Sequence, residues 1–469
     1  MVTFLLCLAA LITAYFTYGK YLERLAGIDS SRSTPCQRLA DGVDYIEMPK
    51  WRIFLIQLLN IAGTGPIFGA ILGACFGPVA FLWICLGGIF FGAMHDFLSG
   101  VMIVRDDGRS LPEMLGLYLG NRMRTVVRWF SVVLLVLVGA VFVLSPAQLL
   151  TTLVSSISLS AWVWIIIAYY VLATVLPVDK IIGKCYPVFG LALVLMALGL
   201  LGVVLFGGYH VPELSFHNYQ TNPAAIPIIP TLFITIACGA ISGFHATQSP
   251  LMARCVGNEK ECRAVFYGSM ISESIIALIW AAIAMAFFGG ATELNGALAE
   301  HGNNPAWAVD IISRTTLGKV GAVLAILGVV AAPITSGDTA FRSARLVIAD
   351  MFNIDQKPLL KRFTICIPLF VIGYGITQIN FDIVWRYFAW SNQTLAAVTL
   401  WAIVIWLRIS NKNFWVALIP AVCMTYIVTS YVFISNQFMG IGVNWASYTC
   451  AAVITAGITA LAIRKKNYK

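Results

Sequence analysis

Runs of about 20 apolar residues, each long enough to cross roughly 30 Å of hydrocarbon, recur from end to end of this 469-residue chain. Inside lipid every backbone N–H and C=O must find its partner within the protein. Such runs are therefore read as spanning helices, and the chain as an all-α polytopic membrane protein. Charged residues make up 11% of the sequence, where a soluble globular protein carries about 25%, which excludes a string of soluble domains. The net charge of +9 could point to nucleic acid, but the Lys and Arg residues flank the apolar runs instead of gathering on one face or tail. The expected partner is the lipid bilayer, with no nucleic acid.

The runs place thirteen spans, near residues 2–19, 53–77, 78–104, 126–150, 161–177, 186–207, 226–250, 266–289, 319–339, 363–379, 384–407, 414–434 and 444–463. If the segment 20–52 is cytoplasmic, alternate connections hold 27 of the 30 Lys and Arg residues; only Arg314, Lys319 and Arg386 fall elsewhere. The 290–317 loop on the opposite side also carries Glu293, Glu300 and Asp310. The positive-inside rule then gives an outside N-terminus and a cytoplasmic C-terminus. No Lys or Arg precedes the first run, the wrong flank for a signal peptide, so it is read as a retained helix. No cysteine falls in an outside loop, so structural thiols are expected in place of a disulfide framework.

Glycine and proline at membrane depth are tolerated where the exposed backbone lines a cavity or is buried in protein. Two clusters stand out. The second span contains Ile61-Ala62-Gly63-Thr64-Gly65-Pro66, and the seventh contains Ala237-Cys238-Gly239-Ala240-Ile241-Ser242-Gly243-Phe244-His245 followed by Ser249-Pro250. Close helix packing through small residues is the alternative reading of either cluster alone. The two interrupted spans lie five helices apart, and an odd number of spans per copy inverts the second copy. Interrupted helices at corresponding positions of two inverted halves point to a secondary transporter with its site at the repeat interface. The organisation is then a peripheral helix 1–19, a cytoplasmic loop 20–52, a first five-helix repeat 53–207, a second 226–407, peripheral helices 414–463 and a basic tail 464–469. No G-x-x-x-x-G-K-[ST] pattern occurs, so ATP is not the expected energy source.

The stretch Leu232 to His245, LFITIACGAISGFH, resembles the signature of the carbon starvation protein A family of peptide transporters. Further segments agree: DGVDY at 41–45, IAGTGP at 61–66, His95-Asp96-Phe97 in the place of a Q-D-F element, and R-D-D-G-R-S-L at 105–111. A T-x-x-D-x-x-x-R-x-x-R pattern from Thr335 to Arg345, and Asn392-Gln393 in the eleventh span, complete the likeness, which covers most of residues 20–410. The resemblance implies an inner-membrane carrier induced on nutrient limitation, importing peptides or, in some members, pyruvate, with protons. It also implies a fold similar to the amino acid, polyamine and organocation (LeuT-like) superfamily, whose five-plus-five inverted repeat coincides with the core assigned above. The chain departs from the family where paired histidines usually precede the first glycine cluster, here Ile56 and Gln57, in the shortened Thr247-Gln248-Ser249 stretch, and in lacking a large insertion of longer members.

An ionisable side chain within hydrocarbon costs about 2.5–3.5 kcal/mol on insertion scales, so each is a candidate for function. Asp96 lies nine residues before Arg105, about 13 Å from the boundary; it is assigned to coupling or gating, the alternative being a pairing with an Arg at the helix end. Glu273 lies ten residues past Arg263, about 15 Å deep and near the midplane. It has no local positive partner, and burial there favours its protonated form, the property of a carboxyl that carries a proton. His245 could hydrogen-bond a carboxylate or relay a proton. In sodium-coupled relatives of the resembled superfamily two adjacent hydroxyls on the eighth core helix face the first broken helix; the resemblance therefore permits a sodium site at Thr335 and Ser336. Back-bonding to the preceding turn is the alternative. Asp338 is expected to pair with Arg342 at i, i+4 as a cytoplasmic gate or lock.

Where the second and seventh spans unwind, half-helix N-termini would offer free N–H groups to a substrate carboxylate. The substrate site expected is Gly63, Thr64, Gly65 and Phe68 from the first break, Ser242, Gly243, Phe244 and His245 from the second, with Asn392 and Gln393. The cargo is a short peptide or a small monocarboxylate such as pyruvate, the coupling ion H+ or Na+, and no cofactor or metal is expected. A channel would need a continuous polar pore. A membrane enzyme finds no support in the five histidines, none of which is paired at i, i+4, and no H-E-x-x-H occurs.

Overall fold

The computed structural model describes residues 1–42, 44–175, 178–356 and 358–464, and its regular structure is helical throughout. The basic tail expected at 464–469 lies outside the described residues beyond Arg464. Among the described residues nine helices are long and apolar enough to cross a membrane, and the pair Lys50–Ile61 and Gly65–Ala74, bent by 48°, makes a tenth. The other three of the thirteen runs, the fifth, seventh and ninth, are helical in whole or in part among the described residues. The fifth run makes an apolar but short helix, Leu159–Thr174. The seventh run is reduced to Phe233–Thr235 and Gly243–Ala253 around a non-helical stretch. The ninth run is helical throughout, in Pro305–Leu324, Ala325–Val330 and the start of Ala331–Phe352, the last of which carries Asp338, Arg342, Arg345 and Asp350.

Two segments read as loops are helical. The first span continues through Thr17 to Ala26, so residues 20–26 belong to it. The 290–317 connection holds Ala291–Glu300 and the start of Pro305–Leu324. Burial sorts the long helices: 83% of the apolar window of Phe381–Ile409 is enclosed by protein against 17% for Trp445–Arg464 and 28% for Val2–Ala26, which puts the last and first spans at the lipid-facing edge.

Small residues explain how the interior closes. Gly65, Gly69 and Gly73 repeat at i, i+4 on one face of Gly65–Ala74, and a Cβ on Gly65 or Gly73 would overlap the side chain of Cys238 or Ile236. At Gly69 it would lie 3.1 Å from the Thr235 carbonyl oxygen. The backbone of the seventh-span break therefore lies directly on this glycine face, the close approach that small-residue ridges permit. Gly239 within the break has φ +89°, a conformation in which a side chain is strained, and a Cβ there would sit 2.6 Å from that of Ala277.

The R-D-D-G-R-S-L segment closes the end of the bundle that carries the basic connections. Asp107 (φ 59°) and Gly108 (φ 67°) form a tight left-handed turn after Val79–Arg105. Arg105 reaches the Ala26 and Gly27 carbonyls at 3.0 and 2.9 Å, and Lys412 Nζ also donates to the Ala26 carbonyl. The buried Glu259 carboxylate accepts from Arg105 Nε at 2.7 Å, Arg32 Nη1 at 2.9 Å and the Asp29 N–H at 2.8 Å. One satisfied carboxylate ties its own segment to residues 29–32 and to the end of Val79–Arg105, as a buried charge requires.

Candidate functional site

The seventh-span break delivers His245 to the first turn of Gly243–Ala253, where it meets carboxylates from the two neighbouring spans. His245 Nδ1 lies 2.8 Å from Asp96 Oδ2 and its Nε2 3.3 Å from Glu273 Oε2. His95 Nδ1 lies 2.7 Å from Asp96 Oδ1. All four side chains are fully buried. An ionised Asp96 accepts only, so in that state it takes an N–H from each Nδ1, the tautomer this pairing requires of both imidazoles. His245 Nε2 and the Glu273 oxygens then have no hydrogen-bond partner, and a proton placed between them would satisfy both groups. The chain Glu273–His245–Asp96–His95 thus joins three helices, and its unpartnered atoms are His245 Nε2, both Glu273 oxygens and His95 Nε2.

This arrangement changes two expectations. Glu273 does not stand alone at the midplane, since an imidazole from the broken span faces it. Asp96 pairs with two histidines and not with an arginine at its helix end. His95 and Cys238 belong to the cluster although the sequence reading did not select them; the signal for His95 was the His-Asp dipeptide itself, inside an otherwise apolar run. Cys238, His245 and Glu273 each bring one potential ligand atom within 4.8 Å of the others, a spacing that could hold a metal ion. A shared proton would account for the same His245 and Glu273 atoms, and Cys238 Sγ has contacts to the Ser242 and Asn392 side chains at 3.7 Å.

The half-helix N-terminus expected to stand free is occupied. Asn392 Oδ1 accepts from the Phe244 N–H at 2.7 Å and from Ser242 Oγ at 3.1 Å, so the eleventh span caps the start of Gly243–Ala253 as an N-cap residue would. Gly243 permits this contact, since a Cβ there would lie 2.5 Å from the Asn392 carbonyl oxygen. Gln393 Nε2 donates to the Phe233 carbonyl at 2.8 Å on the other side of the break. At the first break, Thr64 Oγ1 accepts from Ser145 Oγ at 3.3 Å, and a Cβ on Gly63 would come 2.7 Å from Phe142. Phe244 meets Phe142 edge-on at 5.9 Å, while Phe68 packs with Phe381 and Trp385 at 6.3 Å each. In this conformation the two breaks are closed over with aromatic and amide side chains.

The remaining candidates form a second group, on Ala331–Phe352. Ser336 Oγ donates to the Leu59 carbonyl at 3.1 Å, bridging to the helix before the first break, whereas Thr335 Oγ1 turns back to the Ala332 carbonyl of its own helix. Asp338 accepts from Arg342 Nη2 at 3.4 Å. A cavity of about 190 Å³ is lined by Ser110, Ser131, Thr247, Arg254, Val347 and Asp350 among others. It reaches Thr247, two residues from His245.

Comparison with known proteins agrees with a transporter. The family described as carbon starvation protein CstA matches residues 1–157 and 146–320. An uncharacterized membrane protein of Haemophilus influenzae is 42% identical over 350 residues, covering 64% of this chain and 94% of that protein. The peptide transporter CstA of Campylobacter jejuni is 27% identical over 535 residues, 87% of this chain and 76% of its own length. The pyruvate/proton symporter BtsT of Escherichia coli is 26% identical over 332 residues, 57% of this chain and 46% of BtsT. Among solved structures, a mutant manganese transporter of Eremococcus coleocola shares the fold at 14% identity, with a TM-score of 0.55 over 91% of this chain and 97% of that one.

Proposed function

This chain belongs to the carbon starvation protein CstA family, and on that premise we propose that it is a secondary active transporter importing short peptides with protons by alternating access. The observation that carries the proposal is the fully buried Glu273–His245–Asp96–His95 chain, whose unpartnered His245 Nε2 and Glu273 oxygens sit where a broken span meets a neighbouring span. A titratable group at membrane depth is costly and is retained where it moves charge. His245 lies on the half-helix whose N-terminus faces the expected substrate site. Loading or unloading Glu273 therefore changes the charge beside the break and biases the two arrangements of the bundle.

We further propose that residues 53–207 and 226–407 are inverted five-helix repeats of the LeuT-like kind. Supporting this, breaks interrupt the second and seventh spans, and the span after each break contains a widened π-helical stretch, Trp83–Ala93 and Arg263–Gly268, a feature often placed at functional sites. The distribution of Lys and Arg supports an inner-membrane topology with the N-terminus outside and the C-terminus in the cytoplasm. In that orientation the cavity at Thr247 and Asp350 is cytoplasmic, and Asp338–Arg342 and Glu259–Arg105 lie on the inner side as gate or lock. The substrate enters as Asn392 withdraws from the Phe244 N–H and leaves a helix N-terminus for its carboxylate. Ser336 on the Leu59 carbonyl supports Na+ as an alternative coupling ion at that place.

A second reading, symport of pyruvate or another small monocarboxylate, is favoured by the modest size of the 190 Å³ cavity. Purified protein in liposomes, given labelled trialanine or pyruvate under an imposed proton or sodium gradient, tests both. Trialanine accumulation driven by the proton gradient is the expected result. Dependence on sodium with indifference to pH refutes proton coupling, and accumulation of pyruvate alone transfers the assignment to the second reading.

A further inference from the structure

The helix Lys50–Ile61, just before the first break, carries two carboxamides three residues apart, Gln57 and Asn60, and that spacing puts them on one face. Both are fully buried, and none of their four side-chain nitrogen and oxygen atoms has a hydrogen-bond partner. The other flanks of this helix are engaged. The Phe54 carbonyl accepts from Ser269 Oγ at 3.4 Å, the Leu59 carbonyl accepts from Ser336 Oγ, and the Leu55 carbonyl is 3.1 Å from the position a Cβ on Gly190 would take. Gly243–Ala253 is among the helices that pack against this one. The two run antiparallel from the breaks to a common end, where the Met48 N–H donates to the Cys255 carbonyl at 3.2 Å. That second helix brings a third buried carboxamide, Gln248, whose Nε2 donates to Thr247 Oγ1 at 3.1 Å and whose Oε1 is likewise without a partner.

Buried polar groups in folded proteins are paired, and the exceptions ask for a ligand or water. A carboxamide has both kinds of unmet need: its NH2 requires acceptors and its oxygen requires donors. A monocarboxylate such as pyruvate presents acceptors only. A peptide unit presents an N–H and a C=O side by side and satisfies both. We propose that Gln57, Asn60 and Gln248 form the element that reads the peptide backbone of the substrate, pairing with its amide groups when the two half-helices part during the cycle. This deepens the transport reading above and rests on it, and it names peptide over monocarboxylate as the class selected.

The test compares trialanine, trialanine methylated on both peptide nitrogens, and pyruvate, in proteoliposomes of the wild-type protein and of Gln57→Leu and Asn60→Leu. A site built to pair with an N–H discriminates strongly against an analogue that lacks it. The wild type is therefore expected to transport trialanine at least about tenfold better in kcat/KM than the methylated peptide, and each leucine variant to lose that preference. Equal handling of the two peptides by the wild type overturns the proposal whether or not the variants fold. Full retention of the preference in variants that fold also overturns it, and leaves water as the partner of these amides. Wild-type protein that carries pyruvate and not trialanine overturns this inference together with the peptide reading and leaves a monocarboxylate carrier; wild-type protein that carries neither under any gradient overturns the transport reading beneath both.

Discussion

Replacing Glu273 with glutamine separates the proton from everything else the side chain does. The amide is nearly the same size as the carboxyl and can still donate to His245 Nε2, 3.3 Å from Glu273 Oε2 in the native protein, but it cannot load or release a proton. On the proposed proton coupling, with the His245–Glu273 contact as the site that loads and unloads, the simplest cycle moves one proton. One pH unit then supplies about 1.4 kcal/mol and a potential of 100 mV about 2.3 kcal/mol per charge. For a zwitterionic peptide the sum, about 3.7 kcal/mol, sets a ceiling of about 500-fold accumulation. In Glu273→Gln that ceiling falls to simple equilibration, while exchange of labelled trialanine between preloaded liposomes and medium continues, because exchange needs no net proton movement. The assay is the steady-state internal to external ratio under an imposed gradient, beside counterflow on the same preparation. Gradient-driven accumulation that survives in the variant would refute the reasoning. So would loss of exchange together with accumulation, which would assign Glu273 to the fold or to substrate contact.

Two further outcomes follow from the packing. Gly239→Ala adds a Cβ at φ +89° that would lie 2.6 Å from the Ala277 Cβ; left-handed backbone and overpacking together cost about 2–5 kcal/mol, so the thermal midpoint of the purified protein drops and uptake is lost, and an unchanged midpoint contradicts the packing described for the break. Glu213, outside the spans, accepts from the Met1 ammonium at 2.6 Å and the Val2 and Thr3 N–H groups at 2.7 and 2.9 Å. The ammonium first, then the Thr3 and Val2 donors, hold its carboxyl well below the usual range. A carboxyl lowered in this way contributes stability above its unfolded value, about 4.3, and loses it as pH falls through the lower folded value. The midpoint of the wild type should exceed that of Glu213→Gln at neutral pH, with the difference vanishing only in strong acid; a difference that widens on acidification would show the sign to be wrong.

Much of this protein is local in origin and so was readable from residues in order. A run of apolar residues has one way to satisfy its backbone in lipid, and Gly63-Thr64-Gly65-Pro66 and Gly239 to Gly243 interrupt that solution wherever they are placed, because the lost donor of proline and the freedom of glycine belong to the residues themselves. Spacing along one helix was likewise readable at Asp338 and Arg342, four residues apart, which pair as i, i+4 neighbours do. Pairing between distant helices was another matter. His245 and Asp96 are 149 positions apart, and Asn392 and Phe244 148; each meets its partner only because glycine faces let the break settle against neighbouring helices. Sequence alone therefore identified a membrane transporter with two broken spans and a handful of polar residues in them. Only the tertiary structure decided that Glu273 faces an imidazole, that Asp96 binds two histidines, and that the half-helix amide is already capped, since the partner of a buried polar group is chosen by which helices pack together and not by its neighbours along the chain.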